Sequence, residues 1–159
     1  MRFLKSILFQ ICMGIVVFFL GRLIPRKWIM EDKFPFKSYR FEKNGEIYHK
    51  IKIMQWKTKL PDASLIISKF LPKFLPAKRL ENQEKIPVLI KETCIAEATH
   101  TAAGIFGFVC IPIWGGIGSW LAAILFFMYN VPYVLMQRFN RPRLLKVNAM
   151  LKRKSEMAV

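Results

Sequence analysis

Acid, histidine and cysteine are all scarce in this chain. Ten Asp and Glu stand against 26 Lys and Arg, which leaves a net charge of +16 on 159 residues. Histidine occurs only at 49 and 100, and cysteine only at 12, 94 and 110. There is no CxxC pair and no zinc-ligand spacing, so neither a zinc ribbon nor a dithiol redox motif is present. Gly-x-Ser-x-Gly is missing, which excludes a serine-hydrolase elbow. The glycine patterns of dinucleotide and P-loop sites are missing too. Cys12, Cys94 and Cys110 fall in or beside apolar runs and read as small packing residues. Cys94 as an acyl-thioester nucleophile is disfavoured, because it lies six residues from His100 on a different helix face.

Charge is absent from two long stretches. Nothing charged lies between Ser6 and Gly21, and between Ala98 and Gln137 only His100 can ionise. About 20 apolar residues cross a hydrocarbon core as a helix. The first run reaches that length with the long stems of Lys5 and Arg22, which can snorkel. The second is long enough for two crossings, with a turn at Gly115–Gly118. The expectation is a mainly α membrane protein. Three spanning or re-entrant helices are expected near Phe3–Ile24, Ile95–Trp114 and Ser119–Gln137. The organisation reads as an N-terminal anchor (1–24), a basic aromatic segment (25–94), a helical hairpin (95–137) and a basic tail (138–159). Gly21, Arg22 and Leu23 offer no small-x-small cleavage site, so an uncleaved anchor is expected rather than a signal peptide.

The bases fall outside the apolar runs. Arg22 to Lys91 holds 17 Lys and Arg, and Arg138 to Lys154 holds 7. The positive-inside rule puts both regions on the cytoplasmic side of a multi-pass cell-membrane protein. A basic skirt beside an anionic leaflet explains the charge without a nucleic-acid partner, and no nucleic-acid motif is present. In the basic segment, Asn44-Gly45 signals either a β-hairpin or an ordinary turn ahead of a helix. The stretch from Ala63 to Leu75 reads as an interfacial segment lying on the bilayer, or as a small packed subdomain.

Two ionisable residues interrupt the start of the second apolar run. Glu97 and His100 share one helical face with Thr93, Gly104 and Gly107. In the third segment Asn130, Tyr133, Gln137 and either Asn140 or Arg141 recur at steps of three and four. Pro132 removes one helix hydrogen bond and is expected to kink this helix near Met128. A turn centred between Gly116 and Ile117 pairs antiparallel positions summing to about 233, as helical rise is equal on both arms. His100 then faces Tyr133, and Glu97 faces Met136, beside Gln137. The expectation is a polar pocket at the cytoplasmic boundary of the membrane. Ionisable residues within apolar spans are functional by default. Glu-x-x-His also occurs in di-iron bundles, but those need matching carboxylates and only Asp62 is available, so no metal is expected.

Three blocks carry a family resemblance. They are Phe36–Lys43 running on to Trp56–Asp62, then Ala96–His100, and then Asn130–Leu144 with the sequence NVPYVLMQRFNRPRL. With the hydrophobic layout, the chain resembles the glycosyl-4,4'-diaponeurosporenoate acyltransferase family, membrane enzymes of the last step of staphyloxanthin synthesis. The resemblance implies transfer of a fatty acyl group to a sugar hydroxyl of a glycosylated carotenoid or related glycolipid. Membrane lipids, the acceptor and the acyl donor are the implied partners. No cofactor is expected to stay bound; an acyl thioester, as acyl-CoA or acyl-carrier protein, is the implied co-substrate. Neither histidine is followed after four residues by the Asp of the glycerolipid acyltransferases.

The pocket then suggests roles. His100 is the expected general base and Glu97 its orienting carboxylate. Asn130, Tyr133 or Gln137 would bind the oxyanion. Arg138, Arg141 and Arg143 would bind an anionic donor or simply anchor the cytoplasmic side. Asn140 belongs to the same substrate-facing stripe. Trp56, Lys57 and Asp62 would cover the pocket, although Asp62 can instead cap a helix beginning at Ala63. His49 and Cys94 receive no role. The rival reading is a non-enzymatic membrane scaffold in which Glu97 and His100 form a structural pair.

Overall fold

A computed structural model describes residues 1–61 and 82–157. Asp62 and the Ala63–Leu75 stretch lie outside the described residues. Among the described residues the chain is helical and contains no strand. Helix α1 spans Arg2–Leu23, α2 Ile47–Lys50, α3 Ile53–Trp56, α4 Asn82–Phe106, α5 Cys110–Trp114 and α6 Gly116–Met157. Short 3-10 turns at Arg26–Trp28, Arg40–Gly45, Lys57–Lys59 and Gly107–Val109 complete the path. Among the described residues three helices are long and apolar enough to cross a membrane: Arg2–Leu23, Lys85–Trp114 and Gly116–Met157.

The element boundaries depart from the sequence expectations in three ways. α4 begins at Asn82, a long way before Ile95. α6 continues through Pro132 and Pro142 to Met157, so residues 138–157 are helix rather than a separate tail. Proline withholds only its own amide, and the helix tolerates that loss. The connection between the arms is also shorter than the four residues Gly115–Gly118. Gly115, at φ 62° and ψ −177°, separates the two helices, and Gly116, where α6 starts, also has a positive φ of 74°. Gly115 occupies backbone space essentially reserved for glycine. At Asn44-Gly45 the chain forms a 3-10 turn leading into α2, which is the turn-before-helix alternative and not a β-hairpin.

The residues form two compact units, Met1–Pro25 with Ile95–Leu135, and Arg26–Cys94 with Met136–Val159. The first is packed inside out compared with a water-soluble bundle. On α1 the buried positions are Ser6, Gln10, Val17 and Gly21, a stripe at steps of four, seven and four. Ser6 and Gln10 are 0% and 3% exposed, whereas Leu4 and Leu8 are 71% and 62% exposed. Polar and small residues therefore face the neighbouring helices, and the large apolar ones face outward. Lipid offers no hydrophobic incentive to bury leucine, so close packing and internal hydrogen bonds take over.

Those bonds are specific. Ser6 Oγ and Ser119 Oγ are 3.0 Å apart. Gln10 Nε2 donates to the Gly107 carbonyl at 2.9 Å. The glycines set the approach: a Cβ on Gly21 would lie 2.1 Å from Thr99 Cγ2, and one on Gly107 would lie 2.7 Å from Gln10 Oε1 and 2.9 Å from Phe126 Cδ1.

These contacts predict a graded glycine series. Gly21→Ala and Gly107→Ala overpack the unit and should cost about 1–3 kcal/mol each. Gly115→Ala meets nothing within 4 Å; its cost of about 1–3 kcal/mol comes from the backbone alone. Gly14→Ala places its Cβ at an ordinary 3.8 Å from Phe126 and should be close to neutral. Thermal unfolding of the detergent-solubilised variants checks the ranking; a destabilised Gly14→Ala with unaffected Gly21→Ala would contradict it.

Candidate functional site

Within the first unit, His100 on α4 meets two side chains of α6. Its ring stacks on Tyr133, with centroids 4.6 Å apart and planes 12° from parallel. This is the His100–Tyr133 register that the glycine turn implies. Its Nδ1 lies 2.8 Å from Asn130 Oδ1. The Asn130 amide is oriented from its other end, where Nδ2 donates to the Phe126 carbonyl at 2.9 Å. An amide oxygen can only accept. His100 must therefore donate from Nδ1, and Nε2 is left with its lone pair. Asn130 is 5% exposed and Tyr133 7%. Tyr133 also shares a hydroxyl contact of 3.1 Å with Tyr129. Gly104 leaves room for the packing, since a Cβ there would come within 3.1 Å of the Phe127 ring.

Glu97 is buried on α4, three residues before His100. The acceptor that sets the imidazole tautomer is Asn130, which the sequence placed among oxyanion or substrate contacts. No helical periodicity could identify it, because the bond spans 30 residues.

The second unit holds a different cluster. Glu42 sits in the 3-10 turn Arg40–Gly45, where its carboxylate accepts from the Tyr39 amide at 2.6 Å in a capping box. It also accepts from the Tyr48 hydroxyl and, at 2.6 Å, from Arg138 Nε. Arg138 reaches the Pro35 and Lys37 carbonyls at 3.2 and 3.3 Å and lies 4.7 Å over the Tyr39 ring. Arg141 is buried: Nε donates to Thr93 Oγ1 at 3.0 Å, Nη2 to the Thr93 carbonyl at 3.2 Å and Nη1 to the Phe36 carbonyl at 2.6 Å. A cleft beside them is lined by Glu31, Ser38, Glu42, Arg138, Arg141 and Pro142. A further ion pair joins Arg26 to Glu92.

Burial pushes the Glu42 carboxyl up, but hydrogen bonds from Tyr48, Arg138 and the Tyr39 amide outweigh it, and the net shift is below 4.5. The same burial, together with the Glu42 carboxylate, drives the Tyr48 phenol upward. Neither Glu42 nor Tyr48 stands out as a site residue in the sequence. The available signal was the scarcity of acid itself, because an acid near so many bases is seldom without a cation.

The remaining site candidates are dispersed. Gln137 and Asn140 are half-buried on α6. Trp56 donates its indole N–H to the Ile51 carbonyl at 2.9 Å. Lys57 and Arg143 both lie over the Phe139 ring, at 5.0 and 4.5 Å. No group of three or more metal-ligating side chains occurs among the described residues.

A family model described as glycosyl-4,4'-diaponeurosporenoate acyltransferase matches residues 25–150. The chain is 30% identical over 140 residues to the glycosyl-4,4'-diaponeurosporenoate acyltransferase of Staphylococcus aureus strain Newman. It is 31% identical over 144 residues to the protein of the same description from strain N315. Each alignment covers 86% of this chain and 82% of the relative. No solved structure matches.

The Glu42 cluster carries a pH signature with a definite sign. Because the folded carboxyl titrates below 4.5, its stabilisation is complete above about pH 4.5 and is lost as pH falls through the folded value. Amide-exchange protection across residues 39–48 should therefore fall on acidification. Glu42→Gln should cost about 1–3 kcal/mol at neutral pH and remove most of that pH dependence. Unchanged protection down to strongly acidic pH would refute the assignment.

Proposed function

Because the chain belongs to the glycosyl-4,4'-diaponeurosporenoate acyltransferase family, we propose that it is a membrane-bound O-acyltransferase with His100 as its general base. The acceptor is a sugar hydroxyl of a glycosylated carotenoid or a closely related glycolipid, as the names of its relatives indicate for those proteins. The donor is an acyl thioester, either acyl-CoA or acyl-carrier protein. The enzyme works in a bacterial cell membrane, at its cytoplasmic boundary.

One observation carries the mechanism: the bond from His100 Nδ1 to Asn130 Oδ1 leaves Nε2 as an acceptor. Nε2 takes the proton of the sugar hydroxyl as its oxygen attacks the thioester carbonyl. A tetrahedral oxyanion forms, and Tyr133, stacked on the imidazole, offers its hydroxyl as a donor to it. Collapse expels the thiolate, which takes the proton back from the imidazolium. The products are a sugar ester and a free thiol, and His100 returns to its starting state.

Asn130 acts through His100 by holding its tautomer, much as the carboxylate does in serine-protease triads. Glu97, buried one turn before His100, supplies negative charge that favours the transient imidazolium.

Two sets of variants test this reading. His100→Ala should lower acyl transfer by about 10²–10⁴-fold. Asn130→Leu should lower kcat more than it raises KM for the acceptor, whereas Asn130→Asp should retain part of the activity. Glu97→Gln should reduce turnover with membrane levels unchanged. Mass spectrometry of cellular glycolipids reads the acylated product. Undiminished product in both His100→Ala and Glu97→Gln, at normal protein levels, would reject the catalytic pair.

A further inference from the structure

Among the described residues of the second unit, three arginines are held by polar partners. Arg138 is paired with Glu42 and Arg26 with Glu92. Arg141 is held by Thr93 and by two backbone carbonyls. Lys57 and Arg143 are different. Both are drawn to Phe139, a buried ring on α6 that is 1% exposed. The Arg143 guanidinium carbon lies 4.5 Å from the ring centroid and Lys57 Nζ 5.0 Å from it. Arg143 follows Phe139 by one helical turn on α6, and Lys57 follows α3 directly. His49 meets the same ring edge-on, with centroids 5.3 Å apart. Neither Lys57 nor Arg143 has a carboxylate partner among the described residues.

Cation–π attraction fixes where each charge sits without neutralising it. The two positive charges therefore feel one another. The Lys57 ammonium is pushed below its usual range first by partial burial and second by the Arg143 charge. Folding has brought two like charges to one ring, with no carboxylate paired to either among the described residues. An anion seated beside them converts that repulsion into attraction. A guanidinium offers a planar fork of donors, and an ammonium offers a compact point charge. Together they suit a tetrahedral dianion with several acceptor oxygens.

We propose that Lys57 and Arg143, seated on Phe139, form a phosphate-binding site, with His49 at its edge. The proposal deepens the acyltransferase reading and in part rests on it, because a thioester donor of the coenzyme A type carries such phosphates. A phospholipid headgroup carries the same chemistry. The site differs from the Arg138 and Arg141 cluster, whose guanidinium donors are already engaged.

The test uses the full chain in nanodiscs of phosphatidylcholine, titrated with adenosine 3',5'-bisphosphate by calorimetry. The Lys57→Gln/Arg143→Gln double variant should bind at least about tenfold more weakly, with binding that falls as salt is raised. Lys146→Gln/Lys152→Gln, which removes the same charge elsewhere on α6, should change binding less than about twofold if the site is local. Phe139→Leu keeps both charges but removes their platform, and should weaken binding as well. Lys57→Arg/Arg143→Lys preserves the charge, and should retain binding if the protein is folded.

A second arm measures retention of phosphatidylglycerol by native mass spectrometry. Loss of lipid retention confined to the Lys57/Arg143 double variant, with no bisphosphate binding, supports the site and makes a headgroup its ligand. Equal losses in both double variants overturn the proposal in favour of diffuse charge, and so does absence of binding in both arms. His100→Ala should bind bisphosphate like the unmodified chain. Normal binding without acyl transfer by the unmodified chain would keep this site and reject the acyltransferase reading.

Discussion

The hydrogen bond between His100 and Asn130 ties α4 to α6 within the first unit. A polar side chain within an apolar span has no water to turn to, so its donors and acceptors must find partners in the protein. Asn130 meets this by bonding His100 through its oxygen and the Phe126 carbonyl through its nitrogen. The two bonds fix the amide, the amide fixes the imidazole tautomer, and the tautomer decides which nitrogen can accept a proton. Tyr133 stacking then holds the plane of the ring. In the proposed mechanism structural satisfaction and chemical readiness are the same arrangement, because the bond that engages Nδ1 is the one that leaves Nε2 available.

The same constraint explains the packing around α1. Ser6 and Gln10 would be anomalous in the core of a soluble bundle, yet they are the buried residues of this helix. Their partners lie on the opposing helices, at Ser119 and the Gly107 carbonyl. Close approach at Gly21 and Gly107 makes those bonds reachable. Outward leucines and isoleucines contribute little to helix association in lipid, so small residues and a few hydrogen bonds decide the geometry.

In the second unit the distribution of scarce acid is the organising fact. Glu42 is committed to Arg138, Tyr48 and the Tyr39 amide, and Glu92 to Arg26. These commitments brace the path from Pro35 to Tyr48 against the basic end of α6. They also leave Lys57 and Arg143 without a carboxylate among the described residues. A basic protein thereby acquires both rigid, internally paired arginines and a pair of cations open to an external anion.

The sequence by itself determined the helical class, the three apolar spans and the facing of His100 and Tyr133. Hydrophobic run length measures a span directly, and a glycine turn with equal rise on both arms sets the register. It also showed that Asn130 shares a face with Tyr133, because helical periodicity is local. Tertiary structure alone decided that the Asn130 oxygen, oriented by Phe126, receives the His100 proton, since that depends on helix rotation and on the room left at Gly104. It likewise decided the Glu42–Arg138 pair, separated by 96 residues, and the seating of Lys57 and Arg143 on one ring. Pattern within a helix reports which residues share a face; only packing between helices reports which atoms meet.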